Sequence, residues 1–318
     1  WGSVGLSVLF WTFANDITRI SEAKRFYALF GLIGNVGLLF SGELLVRVTE
    51  GTRHLTATER WDVSMKWIMI ALIIMTGVLM YLYSWMQKNV LTDPRLYDPE
   101  AAASSKRKKK AKLSFMDSVK VVFSSKYIGY IAVLILAYGI SINLIEITWK
   151  SQLKLQYPDP ADFIKFMGRF SQTTAVVTII MMIVGANIVR KFGWFVGAII
   201  TPLILLITGG LFFSFILLGD NMSGMLAALS MTPVMAAVLI GTVQNSLTKG
   251  TKYALFDPTK EMAYIPLDDD LKIKGKAAVD GVGGRLGKSG GAIIQQVMLI
   301  FMAGATQLMI APYLAIIL

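Results

Sequence analysis

Residues 166–218 read FMGRFSQTTAVVTIIMMIVGANIVRKFGWFVGAIITPLILLITGGLFFSFILL. Two apolar runs, Phe166 to Val189 and Trp194 to Leu218, are parted only by Arg190, Lys191, Phe192 and Gly193. A helix needs roughly 20 mainly apolar residues to cross the hydrocarbon core of a bilayer. Each run meets that length, so the stretch reads as two transmembrane helices joined on a basic side. Composition extends the reading to the whole chain. Of its 318 residues 55% are hydrophobic and 16% charged, against about 25% charged in a soluble domain. A soluble core accounts for one or two such runs, not for a succession of them.

Working outward, seven more apolar helices are expected. Three precede: Trp1 to about Ile17, Phe26 to Val46, and Trp67 to Met86. A polar break from Gln87 to Ser114 follows, with Asp93-Pro94, Asp98-Pro99 and the run Lys106-Arg107-Lys108-Lys109-Lys110. Such a charge block resists burial and keeps a connection cytoplasmic. Phe115 to Ser125 suits a short amphipathic helix at the interface. Tyr127 to Trp149 is the next span, and Met222 to Leu247, Ala277 to Met302 and Gln307 to Leu318 come after the quoted pair. The expected fold is an all-α polytopic membrane protein. Residues 1–86 would supply three helices of one bundle, 87–125 a linker, and 126–318 six helices of a second bundle. The chain opens at Trp1 inside an apolar run and stops at Leu318 inside another, so it reads as cut at both ends.

The net charge of +11 does not require nucleic acid. Its cations fall between spans, at Arg190-Lys191 and at Lys249, Lys252, Lys260, Lys272, Lys274 and Lys276, which reads as a positive cytoplasmic face. There is no cysteine, and His54 is the single histidine. Thiolate metal sites, cysteine nucleophiles and histidine clusters are excluded, and no metal or cofactor is expected.

Charges at bilayer depth are costly and mark function. Gly139, Asn143, Glu146 and Lys150 recur three or four residues apart and share one helix face. The stripe suits a solvated cavity; a surface salt bridge between Glu146 and Lys150 is the plainer alternative. Arg285 and Lys288 lie in the span from Ala277 to Met302, and buried cations call for anions, among which phosphate is an obvious one. Gly283, Gly287 and Gly291 repeat every fourth residue, a spacing that lets helices approach closely. Arg285-Leu286-Gly287-Lys288-Ser289 suggests a P-loop, but the first glycine of that motif would fall on Val282 and no strand precedes it. Arg169 and Gln172 are candidate gate or supporting residues, as are Asn15 and Glu22 in the first connection.

Residues 254–296, ALFDPTKEMAYIPLDDDLKIKGKAAVDGVGGRLGKSGGAIIQQ, closely resemble a hallmark of the nucleotide transporter family of plastids and obligate intracellular bacteria. FWTFANDIT at Phe10 to Thr18, FGLIGNVGLLFSG at Phe30 to Gly42, and YGISINLIEITWKSQLK at Tyr138 to Lys154 agree in the same order. The resemblance implies ATP/ADP exchange through a twelve-helix, two-half fold of the major-facilitator kind. ATP and ADP are the implied substrates, with phosphate as a candidate co-substrate, in a bacterial inner membrane or, alternatively, a plastid inner envelope. It also implies two functional charges, Glu146 and Lys288. Two others of the family belong to helices before Trp1, so the chain alone is not expected to transport. A proton-coupled nucleotide importer and a nontransporting receptor or scaffold are the competing readings.

Overall fold

The structure, a computed structural model, describes residues 10, 13–14, 20–93, 120, 122–123, 125–219, 221–279, 284–302 and 307–317. For residues 20–28, 269–270, 273, 277, 284–285, 288 and 307–308 it describes the backbone alone. Every element among the described residues is helical. Most of the first expected span, and most of the linker and amphipathic segment, lies outside them.

The helices are α1 (Ile20–Gly51), α2 (Ala57–Asn89), α3 (Lys126–Gln156), α4 (Pro160–Leu218), α5 (Ser223–Ala228), α6 (Pro233–Thr251), α7 (Asp257–Ala263), α8 (Asp269–Ala278), α9 (Gly284–Phe301) and α10 (Gln307–Ile317). A π-helical turn, Lys252–Phe256, joins α6 to α7. Four helices are long and apolar enough to cross a membrane by length and composition: α1, from Leu29, and α2, α3 and α4. At about 1.5 Å per residue, the 59 residues of α4 would run far beyond one bilayer core. It breaks at Gly193, whose φ of 84° and ψ of 177° few residues other than glycine tolerate. The helix continues through Arg190 to that point, so the connection expected over residues 190–193 is a single-residue hinge. Asn187 is part of the helix, and its Oδ1 accepts from Arg190 Nη2 at 3.0 Å.

Helix starts follow capping chemistry. Asp159 accepts from the Ala161 amide at 2.7 Å, with Pro160 in the first turn, where its missing N–H costs nothing. Thr232 accepts from the Met235 amide at 3.1 Å ahead of Pro233. That second cap corrects the span expected from Met222 to Leu247. The chain forms the short α5, turns through Ser230 at φ 54°, and restarts as α6. The region between Leu255 and Lys276, read as a connection, is largely helical, as α7 and α8.

The chain divides into two compact units, residues 1–37 with 47–110 and residues 38–46 with 111–318. In the first, Thr52 and Ser64 hydroxyls meet at 3.0 Å, and Thr56 and Glu59 cap the start of α2. In the second, Ile128, Ile135, Leu144, Ile145, Trp149 and Leu153 of α3 face Phe170 and Phe212 of α4, Val238 of α6 and Ile310 and Leu314 of α10. Trp149 is fully buried and donates its indole N–H to Val238 O at 3.0 Å. Gly241 lies against the same indole, where a Cβ would overlap it. Between helices in lipid, close packing and hydrogen bonds of this kind replace the hydrophobic effect.

Candidate substrate-binding site

The face of α3 predicted from spacing divides into two parts. At Gly139 and Asn143 it is covered by α9. A Cβ built on Gly287 would lie 3.1 Å from Gly139 Cα and 3.3 Å from Leu136 O; one on Gly291 would lie 2.8 Å from Asn143 Oδ1 and 3.0 Å from Ile140 O. These two glycines therefore stand where the α3 and α9 backbones approach closely. Gln295, one turn further along α9, donates to Leu144 O at 3.2 Å. Asn143 Oδ1 is shielded from solvent and has no hydrogen-bond partner among the described residues.

Glu146 and Lys150 form the other part. Their ion pair is 2.9 Å long, so the plain salt-bridge geometry is present. The Glu146 side chain is only 29% exposed, however, and a second cation reaches it from another helix: Lys249 Nζ of α6, at 3.9 Å. The same ammonium lies 5.0 Å from the centroid of the Phe170 ring of α4. Two helices thus meet at one carboxylate, and a third, α4, lies against the second cation through the Phe170 ring. Lys249 was assigned by the sequence to a cytoplasmic connection; it is a residue of α6, 31% exposed, because the helix runs on past Leu247 to Thr251. The signal available was the polar run Gln244-Asn245-Ser246 and Thr248-Lys249 at the end of an apolar stretch.

The remaining candidates fall in different places. Arg169 is exposed. Gln172 is half-buried and donates to Glu43 Oε2 of α1 at 2.8 Å, beside a Gly42–Gly168 contact where a Cβ on Gly42 would sit 2.5 Å from Gly168 O. Glu43 escaped the sequence reading. Arg285 and Lys288 belong to the α9 backbone, on either side of Gly287, and their side chains are outside the description, as is that of Glu22 in α1. Asn15 and Gly283 lie outside the described residues. No group of three or more metal-ligating side chains occurs among the described residues.

The interior between these helices is polar as well as apolar. Gln152, Thr178, Gln244, Asn245 and Gln295 each bury a side-chain atom with no hydrogen-bond partner among the described residues. Such atoms are costly in a membrane-embedded bundle and recur where helices line a path for polar cargo. Apolar spans around an interhelical ion-pair cluster define a polytopic membrane protein. A family model described as TLC ATP/ADP transporter matches residues 1–318, and the chain belongs to that family, whose members are carriers and not enzymes. It is 52% identical over 320 residues to ADP,ATP carrier protein 1 of Chlamydia pneumoniae, covering 100% of this chain and 62% of that protein. It is 49% identical to ADP,ATP carrier protein 1 of Rickettsia prowazekii, covering 99% and 62%. With the chloroplastic ADP,ATP carrier protein 2 of Arabidopsis thaliana the identity is 47%, covering 100% and 50%. The chain therefore spans about three fifths of the length of the bacterial relatives. No solved structure matches it.

Proposed function

We propose that this chain is the larger part of a carrier that exchanges ATP for ADP by alternating access, with phosphate as a candidate co-substrate. Two helical halves of the major-facilitator kind would rock around a site near the bilayer midplane. Residues 1–86 would belong to the first half and 126–318 to the second, joined by a basic cytoplasmic linker. A bacterial inner membrane is the proposed location, and a plastid inner envelope the second.

The observation that carries the reading is the meeting of Lys150 of α3 and Lys249 of α6 at Glu146, with Phe170 of α4 against Lys249, on the stripe that also bears Asn143. Lys288, with Arg285, would hold phosphate, because an ammonium in a low-dielectric interior needs an anion. Asn143 would read adenine, since its amide donates and accepts at once. Glu146 would hold cations in place while the site is empty. An empty carrier whose cations lack their anionic substrate would reorient poorly, which makes transport an exchange. Arg169 and Gln172, with Asn15 and Glu22, are proposed gate or supporting positions.

The test uses full-length protein in liposomes, one sample loaded with ADP and one empty. Labelled ATP should enter only the loaded vesicles. Equal entry into empty vesicles under a proton gradient would replace exchange with proton-coupled import. No entry into either would leave the receptor or scaffold reading.

A further inference from the structure

The Glu146 carboxylate is held from two helices, and the two cations are not equivalent. Lys150 is one turn along the same helix, 2.9 Å from Oε1. Lys249 comes from α6 and stands 3.9 Å from that oxygen, at the outer limit of an ion pair. It rests at the same time over the Phe170 ring. An ammonium over an aromatic face and at the outer limit of an ion pair gains little from either of those two contacts. A polyphosphate offers shorter and stronger charge-assisted bonds.

The scaffold beneath Lys249 is fixed. Ser246 meets Thr174 at 3.1 Å, the Asn245 amide donates to Gly241 O at 2.9 Å, and Val238 O accepts from Trp149. Only the four-carbon stem of Lys249 has to move for its charge to change partner, and lysine suits that task because its ammonium is a mobile point charge.

We infer that Lys249 is a second phosphate-binding lysine of the carrier. It is held by Glu146 and the Phe170 ring when the site is empty and moves to the β- and γ-phosphates when nucleotide binds. The inference rests on the proposed adenine-nucleotide site. Glu146 then competes with substrate for the same cation, and keeps Lys150 as its partner once Lys249 has left.

The test is a titration of the full-length carrier with AMP, ADP and ATP. The proteins compared are wild type, Lys249→Gln, Lys249→Arg, Glu146→Gln and the double variant with both glutamines. Lys249→Gln should weaken ATP by about tenfold or more, the scale of one charge-assisted contact, and leave AMP within about twofold. Lys249→Arg should restore most of the ATP affinity. Glu146→Gln should tighten ATP in the wild-type background and have no such effect once Lys249 is glutamine. The ratio of ATP to AMP affinity is read on one sample, so it does not depend on how much of a variant is folded. An equal loss for all three nucleotides in Lys249→Gln would overturn the inference, as would a Glu146→Gln gain that survives without Lys249. Wild-type binding in the same experiment would leave the nucleotide site standing. A wild type that binds none of the three would overturn that site and the inference with it.

Discussion

Helices α2 and α3 are both long and apolar, and they are built for different neighbours. In the most apolar stretch of α2 only 6% of residues are buried, and in that of α3 56% are. Trp67, Ile73, Met80 and Tyr81 of α2 are all exposed, and Ser64 is its one buried residue among those described. Along α3, Ile128, Leu144, Ile145, Trp149 and Leu153 are completely enclosed. Hydropathy cannot separate the two, because lipid tails and helix interiors are equally apolar. Polar and small residues can. Between Trp67 and Met86, α2 has little beyond Thr76, Gly77 and Ser84, whereas α3 carries Gly139, Asn143, Glu146, Thr148, Lys150 and Gln152. A helix that keeps such groups at depth has other protein, or cargo, to receive them.

Glycine substitutions should break the comparison most sharply. Gly287→Leu places a side chain against the α3 backbone, and the helix cannot step aside without opening the bundle. The expected outcome is loss of the folded carrier, or a fall in melting temperature well beyond 5 °C on the scale of about 2–4 °C per kcal/mol for a chain of this size. Gly77→Leu in α2 meets nothing within 4 Å and should leave melting unchanged. Fluorescence-detected size exclusion on heated samples reads both. Equal behaviour would mean that Gly287 faces open space.

A middle-sized effect is expected at tryptophan. Trp149→Phe removes one donor to Val238 O, which keeps the Thr242 hydroxyl as a partner, costing about 0.5–1.5 kcal/mol. Trp67→Phe, at the exposed surface of α2, should cost nothing measurable. Thermal melts of the two variants side by side decide whether burial or residue type matters.

The smallest effect sharpens the contrast. Gln295→Leu gives up one interhelical bond, to Leu144 O, but also removes an orphaned Oε1. Interhelical bonds in membranes average only about 0.6 kcal/mol, so the stability change should be near zero. A large loss would show that Gln295 belongs to a fuller polar network than the described residues contain.

Much of this architecture was legible from residue order. Expected spans fall on α1, α2, α3, both arms of α4, and α10, with helix ends up to ten residues beyond them, because long apolar runs in water-poor surroundings have one good solution, the helix. The restart at Thr232-Pro233 was also written in the chain, as a cap followed by proline, but continuous hydropathy hid it. The site was legible in part. Spacing put Asn143, Glu146 and Lys150 on one face, since i, i+3 and i+4 relations are local. Lys249 and Glu43 were not found, because partners 103 residues away from Glu146 and 129 away from Gln172 depend on helix packing that no local period encodes.

The account stands or falls on whether the charges along α3 and α9 receive a nucleotide. The direct measurement is equilibrium binding of ATP, ADP and adenosine to the full-length carrier and to its Lys288→Gln variant, with melting temperature recorded for each. The variant should remain folded and bind both nucleotides about tenfold to a hundredfold more weakly. Adenosine, lacking phosphate, should bind poorly to either form, and Lys288→Arg should bind partially, since its charge is kept and its geometry altered. Unchanged affinity of Lys288→Gln for ATP and ADP would contradict the account and make Lys288 a structural charge paired inside the protein.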